Sequence, residues 1–193
     1  HDETRGAHVT HAYQALAIDE QRGAFAPSVW KSNGAPRAHV EQVWFAGAHC
    51  NVGGGYLDCG LSDHALLWMA TKAMDAGLIL NQRYLAMRID PNSHGELRES
   101  RVRAYRAMPQ HVRPIGQRDT LNEKIHQSAL DRRLHPTNDY HPENLETAAS
   151  ARHVPATRDG LDVLEKIRAA LYPVAPTRSV RAMRRATTAK VPS

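Results

Sequence analysis

His49 combines a residue type and a setting that suit proton transfer. It follows a predicted strand segment, residues 40–48, with a continuous apolar run at 43–46, and precedes three consecutive glycines, Gly53, Gly54 and Gly55. A histidine acts as a general base when its ring is held in one orientation and one tautomer but faces a cavity. Glycines adopt positive φ angles and let a ligand or another segment approach closely. The segment indicates a catalytic histidine; a structural histidine beside a flexible glycine turn is the alternative.

The glycine run also has a second interpretation, as a cradle for phosphate. A P-loop ends in Gly-Lys-Ser/Thr, and a dinucleotide site has the spacing Gly-x-Gly-x-x-Gly. Residues 53–60 contain neither pattern. We therefore favour the catalytic interpretation over phosphate binding by the loop itself.

The elements around His49 predict an α/β fold. Residues 43–46 are continuously apolar, as in a strand buried on both faces. After a loop over residues 49–60, Ser62 suits a helix N-cap, Asp63 suits the first turn, and Gly77 suits the position after the helix end. Strand, loop and helix in this order form half of a βαβ unit, the building element of a parallel sheet covered by helices.

The rest of the chain gives weaker patterns. Residues 11–20 have apolar positions close to helical spacing and predict a short helix, and residues 161–172 predict a final helix. Between the helix that ends near Gly77 and the final helix, we expect short helices and long loops. Prolines follow His135 and His141, and the residue before a proline disfavours helix at both points.

Composition limits the class of protein. With 193 residues, 41% of them hydrophobic, the chain is long enough to bury the core of one domain. It has no run of about 18 apolar residues and no basic start followed by an apolar stretch, so we expect neither a membrane span nor a signal peptide. Cys50 and Cys59 are the only cysteines, which favours a reducing compartment, with a single disulfide between them as the alternative.

The net charge of +5 comes from one end of the chain. Residues 177–193 contain five basic residues and no acidic one, so residues 1–176 are balanced. A short basic end among prolines is typical of a solvated, disordered tail. Contact of this tail with nucleic acid or anionic lipid is the alternative.

Three ordered blocks resemble the α/β-hydrolase family that includes type VI secretion phospholipase effectors. They are residues 11–22 with Phe25 and Trp30, residues 43–56, and residues 60–69; residues 125–128 and 140–145 resemble the closing segment of that family. The resemblance implies that residues 1–150 are the C-terminal part of an α/β-hydrolase catalytic domain. Residues 151–176 are then a C-terminal helix, and residues 177–193 the basic tail.

The resemblance implies a serine-type carboxylic-ester hydrolase, phospholipase-like, in which His49 is the histidine of a Ser-Asp-His triad. Many family members have Asp where this chain has Asn51, and we give Asn51 no role in proton transfer. Asp19 and Glu20 match an acidic pair of the family and lie at the end of the predicted first helix. Asp19 is expected, with Asn51 and the three glycines, to shape the loop or to support His49 without contacting the substrate.

The nucleophile is missing from this sequence. No Gly-x-Ser-x-Gly motif occurs, and the nearest approach, around Ser62, lacks the second glycine. The nucleophile and the acid are therefore expected upstream of these residues, and the chain alone is expected to be inactive, because a histidine without its serine cannot transfer an acyl group by this mechanism.

The resemblance also bears on partners and location. It implies a lipid or ester substrate, contact with a membrane surface, and binding to a secretion apparatus or an immunity protein. We expect a bacterial protein that is cytoplasmic or exported without a signal peptide, with no cofactor, metal or nucleic acid. Two alternatives stay open: a non-catalytic remnant of the fold, and a metal- or nucleic-acid-binding module built on histidines such as His8, His11, His135 and His141.

Overall fold

A four-stranded parallel sheet forms the centre of the computed structural model, which describes residues 8–31, 39–117, 119–137, 139–151 and 154–172. The strands lie in the order of the chain: β1 (His11–Ala17), β2 (His39–Phe45), β3 (Glu123–His126) and β4 (Ala156–Thr157). Helices cover the sheet, so the predicted α/β class is confirmed. The predicted basic tail, residues 177–193, lies outside the described residues.

Among the described residues, six α-helices connect or follow the strands. They are α1 (His49–Gly53), α2 (Gly60–Asp75), α3 (Gln82–Arg88), α4 (Gln127–Leu134), α5 (Glu143–Ala151) and α6 (Leu161–Leu171), with 3₁₀ turns at Gly23–Phe25 and Arg103–Ala107. The final helix is confirmed. The two X-Pro pairs act as predicted, because α4 ends before His135 and α5 begins after Pro142.

The helix predicted over residues 11–20 is wrong: the segment forms β1. Its seven residues pair in parallel with β2, from His11 opposite His39 to Ala17 opposite Phe45. Leu16 and Ala17 pack into different apolar clusters on opposite faces of the sheet. Hydrogen-bonded pairing with the buried strand β2 outweighs the weak helical spacing of this short segment.

The start of α2 also differs from the prediction. The helix begins at Gly60, so Ser62 lies inside the first turn and its hydroxyl donates to the Cys59 carbonyl at 3.1 Å. Asp58 accepts the Gly60 N–H at 2.9 Å and so supports the helix start that Ser62 was expected to cap. Asp63 in the first turn and Gly77, at φ +99° after the helix end, are as predicted.

Apolar clusters on both faces hold β2 at the centre of the sheet. Trp44 packs on one face with Leu16 and Ile125, and Phe45 packs on the other with Trp68. A third cluster joins α2, α3 and α6, so the described residues beyond 150 pack on the same body. Within the described ranges, no helix is both long and apolar enough to cross a bilayer.

Candidate active site

The ends of β1 and β2 bring His49 and an acidic pair to the same edge of the sheet. The strands are parallel and end in register at Ala17 and Phe45, so the residues that follow them are neighbours. Asp19 and Glu20 follow β1, and His49 follows β2. The carboxyl edge of a parallel sheet is where active sites of open α/β folds lie. The acidic pair therefore lies at a strand end, not at the helix end expected from the sequence.

His49 is the first residue of α1, where the sequence predicted an irregular loop. The helix is a single short turn, from His49 to Gly53, and the chain then passes through Gly54 at φ +86° and Gly55 at φ +114°. Only these last two glycines of the run need the left-handed region that favours glycine. Gly53 belongs to the helical turn.

Two carboxylates hold the backbone on which His49 stands. Glu20 Oε2 accepts the His49 N–H at 3.2 Å, and Asp19 Oδ2 accepts the Gly47 N–H at 2.6 Å. The Tyr140 hydroxyl donates to the same Asp19 oxygen at 2.8 Å. Both acids therefore fix the turn between β2 and α1 through its main chain, a charge-assisted type of hydrogen bond.

Asn51 holds the same turn from inside. Its side chain is buried; its oxygen accepts the N–H groups of Ala48 and Arg98 at 3.3 and 3.2 Å, and its amide donates to the Glu96 carbonyl at 2.8 Å. Gly47 lies so close that a Cβ there would be 2.3 Å from the Asn51 Cβ. Asn51 thus ties the His49 turn to residues 96–98.

The imidazole of His49 is exposed and contacts the aromatic ring of Phe25. The Phe25 ring stands edge-on to it, with centroids 5.2 Å apart, and the Arg22 guanidinium lies over the Phe25 ring, 3.9 Å from its centroid. Arg22 is held by both oxygens of Glu20, at 2.8 and 2.7 Å. Within the described ranges, no carboxylate is hydrogen-bonded to the His49 ring. The ring is therefore packed against Phe25, and its nitrogens remain available to a substrate or a catalytic group.

A cavity of about 260 Å³ opens beside the imidazole. Its lining includes His49, Phe25, Arg113 and four consecutive residues of β1, 14–17. A second, mostly apolar groove of about 290 Å³ runs on along α1 and α2, past Ser62 and Leu66. His49 therefore faces a space into which a substrate can enter, bordered by an apolar groove.

The pKa values of the two acids, Asp19 and Glu20, shift in opposite directions. Burial acts to raise the pKa of Glu20, but hydrogen bonds from Arg22 and from the His49 N–H outweigh it and lower the pKa to about 2. Burial raises the pKa of Asp19 above its usual value, although the Gly47 N–H and the Tyr140 hydroxyl act against it. Glu20 is thus a permanent charge that is neutralised by Arg22.

Sequence reasoning missed several residues of the site. Arg22 and Phe25 follow the acidic pair closely, so their proximity was a local signal. Arg113 donates to the Ala17 carbonyl across 96 residues, and the Tyr140 hydroxyl donates to Asp19 across 121. No sequence pattern pointed to Arg113, and the family-like block 140–145 contains Tyr140 without indicating its contact with Asp19.

The remaining candidates from the sequence do not join this site. Cys50 and Cys59 are free thiols. No group of three or more His, Cys, Asp or Glu side chains with metal-binding geometry occurs among the described residues. Of the histidines considered as ligands, His141 pairs with Glu146 at 3.0 Å, and His135 lies against the ring of His94.

Fold and site together define a parallel α/β protein with a histidine at the carboxyl edge of its sheet, an arrangement typical of hydrolases. Residues 1–72 of the chain match the model of a particular family, the catalytic domain of Tle1-like phospholipase effectors of the type VI secretion system. The resemblance to type VI secretion phospholipases is confirmed, and the match indicates a bacterial hydrolase. Comparisons with curated proteins and with solved structures gave no match.

Proposed function

We propose that the chain supplies the proton-transfer histidine, His49, of a serine-type hydrolase that cleaves acyl esters of phospholipids. The observation that carries the proposal is the position of His49: it stands at the carboxyl edge of the sheet, its backbone N–H is held by Glu20, and its ring borders a cavity. A fixed backbone and an accessible ring are what general acid–base catalysis requires.

In this mechanism a serine hydroxyl attacks the ester carbonyl while His49 accepts its proton. His49 then donates that proton to the leaving alcohol, and an acyl-enzyme forms. A water molecule attacks the acyl-enzyme, with His49 again accepting and returning the proton, which releases the fatty acid and the serine.

The nucleophile of the proposal comes from sequence outside these 193 residues, because they contain no Gly-x-Ser-x-Gly motif. Ser62 does not fit the role, since it lies in the first turn of α2 and donates to the Cys59 carbonyl. The 193 residues alone are then inactive.

The acid that orients the imidazole is also assigned outside these residues. Asp19 and Glu20 lie close, but their oxygens bind main-chain N–H groups, Tyr140 and Arg22. We assign them, with Asn51, to holding the turn that carries His49.

Similarity to the effector family supports the partners in the proposal. The substrate is a lipid at a membrane surface, and a secretion apparatus and an immunity protein are the expected protein partners. For location, the proposal is a cytoplasmic protein or one exported by a signal-peptide-independent route. A non-catalytic remnant of the fold is the alternative, and an inactive full-length parent protein would favour it.

The test compares His49→Ala with His8→Ala in the full-length parent protein, because His8 is an exposed histidine outside the site. Hydrolysis of phospholipid vesicles and of a p-nitrophenyl ester is measured. We expect His49→Ala to lower turnover by about 10⁴-fold or more and His8→Ala to have no effect. Unchanged turnover in His49→Ala would contradict the proposal.

A further inference from the structure

Two adjoining cavities share Arg113 as a wall. The cavity beside His49, of about 260 Å³, and a neighbouring cavity of about 220 Å³ are both lined by Pro27 and Arg113. The second cavity also has Lys31 and His111 in its lining. None of the described residues that line either cavity is acidic. The pair of cavities therefore has a positive lining that begins at His49 and extends away from it.

Arg113 is a buried cation, with 3% of its surface exposed. Its guanidinium donates through Nη1 to the Ala17 carbonyl at 2.9 Å and through Nη2 to the Phe25 carbonyl. Its Nε is buried, and no hydrogen-bond partner for it is found in the described part of the chain. A guanidinium has five N–H donors, so these two carbonyls leave donor capacity unused.

No carboxylate forms an ion pair with Arg113 within the described ranges. Glu20 is the acid that acts on it electrostatically, but Glu20 is bound by Arg22. Burial lowers the pKa of Arg113 to about 10, which leaves the side chain positively charged at neutral pH. A buried charge without a partner is unfavourable, and an anion in the adjoining space would relieve it.

The two carbonyl bonds alone do not explain an arginine at this position. A neutral amide can donate to main-chain carbonyls without the desolvation of a full charge. The planar guanidinium instead matches the geometry of phosphate and carboxylate groups. Its position between the His49 cavity and a second basic cavity suits a ligand that has an ester at one end and an anionic group next to it.

We propose that Arg113 binds the phosphate of the phospholipid substrate at the boundary of the two cavities and so places the acyl ester beside His49. This proposal rests on the proposed function and assigns the residue that selects for a phosphate group. Lys31 and His111 border the space that the remainder of the headgroup would occupy.

The test uses Arg113→Gln and Arg113→Lys in the full-length parent protein, with Arg83→Gln, an exposed arginine on α3, as the matched control. Each variant is assayed on a diacyl phospholipid and on a neutral ester, monoacylglycerol. We expect Arg113→Gln to lower kcat/KM for the phospholipid by about 10- to 100-fold and to change that for monoacylglycerol by less than about 3-fold. Arg113→Lys should retain part of the preference, and Arg83→Gln all of it.

Inorganic phosphate separates the lipid from a free anion as the ligand. With monoacylglycerol as substrate, phosphate should inhibit the wild-type protein competitively and have no effect on Arg113→Gln. Inhibition by phosphate without any change in the phospholipid preference of the variant would identify a free-anion site and overturn the proposal.

Equal losses on both substrates would also overturn it, because they indicate a structural role for Arg113. If Arg113→Gln does not fold, as judged by its thermal transition, then the wild type decides. Absence of competitive inhibition by phosphate would then overturn the proposal. Failure of the proposed function is distinct, since it shows as full activity in His49→Ala.

Discussion

Two regions of the molecule place histidines beside β2 in opposite ways. At the carboxyl edge, His49 has an exposed ring and a main-chain N–H held by Glu20. In the second region, His64 on α2 and His126 at the end of β3 are buried, with ring centroids 5.6 Å apart, and His126 stacks on Phe45. Burial lowers the pKa of His64 to about 3 and that of His126 to about 4, so both are neutral.

The comparison shows what separates a reactive histidine from a packing histidine in this fold. His126 has defined polar partners, the Ser128 hydroxyl at 2.8 Å and the Asp159 carbonyl at 3.4 Å, but no opening to solvent. Both ring nitrogens of His64 are buried, with no hydrogen-bond partner among the described residues. Of these three histidines, only His49 combines a fixed main chain with an accessible ring. The sequence places all three near predicted elements and does not distinguish them in this respect.

The largest expected effect comes from exchanging the two kinds of histidine for glutamine. His49→Gln in the parent protein should lower kcat by about 10⁴-fold with the unfolding free energy unchanged to within about 0.5 kcal/mol. His126→Gln should lower the unfolding free energy and leave kcat unchanged, because it disturbs a buried hydrogen bond but not the cavity. Steady-state kinetics and urea unfolding measure both. A large loss of stability in His49→Gln would remove the distinction between the two regions.

Gly47 tests how rigidly the turn before His49 is held. Gly47→Ala introduces a Cβ at φ +114°, 2.3 Å from the Asn51 Cβ, so it combines backbone strain with a clash and should destabilise by about 3 kcal/mol or more. Gly54→Ala is the control, since φ is +86° but no atom lies within 4 Å; about 1 kcal/mol is expected. Urea unfolding measures both, and equal losses would contradict the close packing of the turn on Asn51.

The buried pair predicts a loss of stability in mild acid. A folded-state pKa below the unfolded value of about 6.5 means that the unfolded chain takes up protons first, so stability falls as pH decreases from about 6.5 toward the folded-state values. Between pH 7 and pH 5, each histidine should account for about 2 kcal/mol. Unfolding by urea at the two pH values measures the loss.

His64→Leu is the matched variant for this prediction. It removes one titrating group together with two buried nitrogens that have no partner in the described structure, so the protein should become less sensitive to acid. His8→Leu, at an exposed position, should leave the pH dependence as in the wild type. An unchanged pH dependence in His64→Leu would show that His64 does not titrate as its burial requires.

Local signals predicted some elements of this fold, and long-range pairing decided the others. The apolar run of β2, Asp63 in the first turn of α2 and Gly77 after the end of α2 are features of neighbouring residues, and the sequence predicts them. β1 was mistaken for a helix, and β3 and β4 were not predicted, because short strands are stable only through their partners.

The candidate site divides in the same way. His49 was found from its position after a strand and before glycines, but its surroundings come from distant sequence. Arg113 contacts Ala17 across 96 residues, and Asn144 donates to the Ile18 carbonyl across 126. Such contacts depend on how the sheet and its loops pack together, which local residue patterns do not encode.

Asp19 gives the smallest expected effect and the sharpest test of what supports His49. Asp19→Asn keeps an oxygen that can accept from the Gly47 N–H and the Tyr140 hydroxyl, and it removes a carboxylate whose pKa burial raises. Weaker hydrogen bonds to the neutral amide destabilise the fold, whereas removal of a buried carboxylate stabilises it. Stability should therefore change by only about 1 kcal/mol and kcat by less than about 10-fold. The exposed Glu165→Gln is the control.

The alternative outcome for Asp19 would move a catalytic role into this chain. If Asp19 orients the imidazole during turnover, Asp19→Asn should lower kcat by about 10⁴-fold while the protein stays folded, as expected for loss of the acid of a triad. Kinetics and urea unfolding of the same preparation separate the two cases. A support for the main chain and a partner for the ring are different functions of one carboxylate, and only the second requires its charge at the moment of proton transfer.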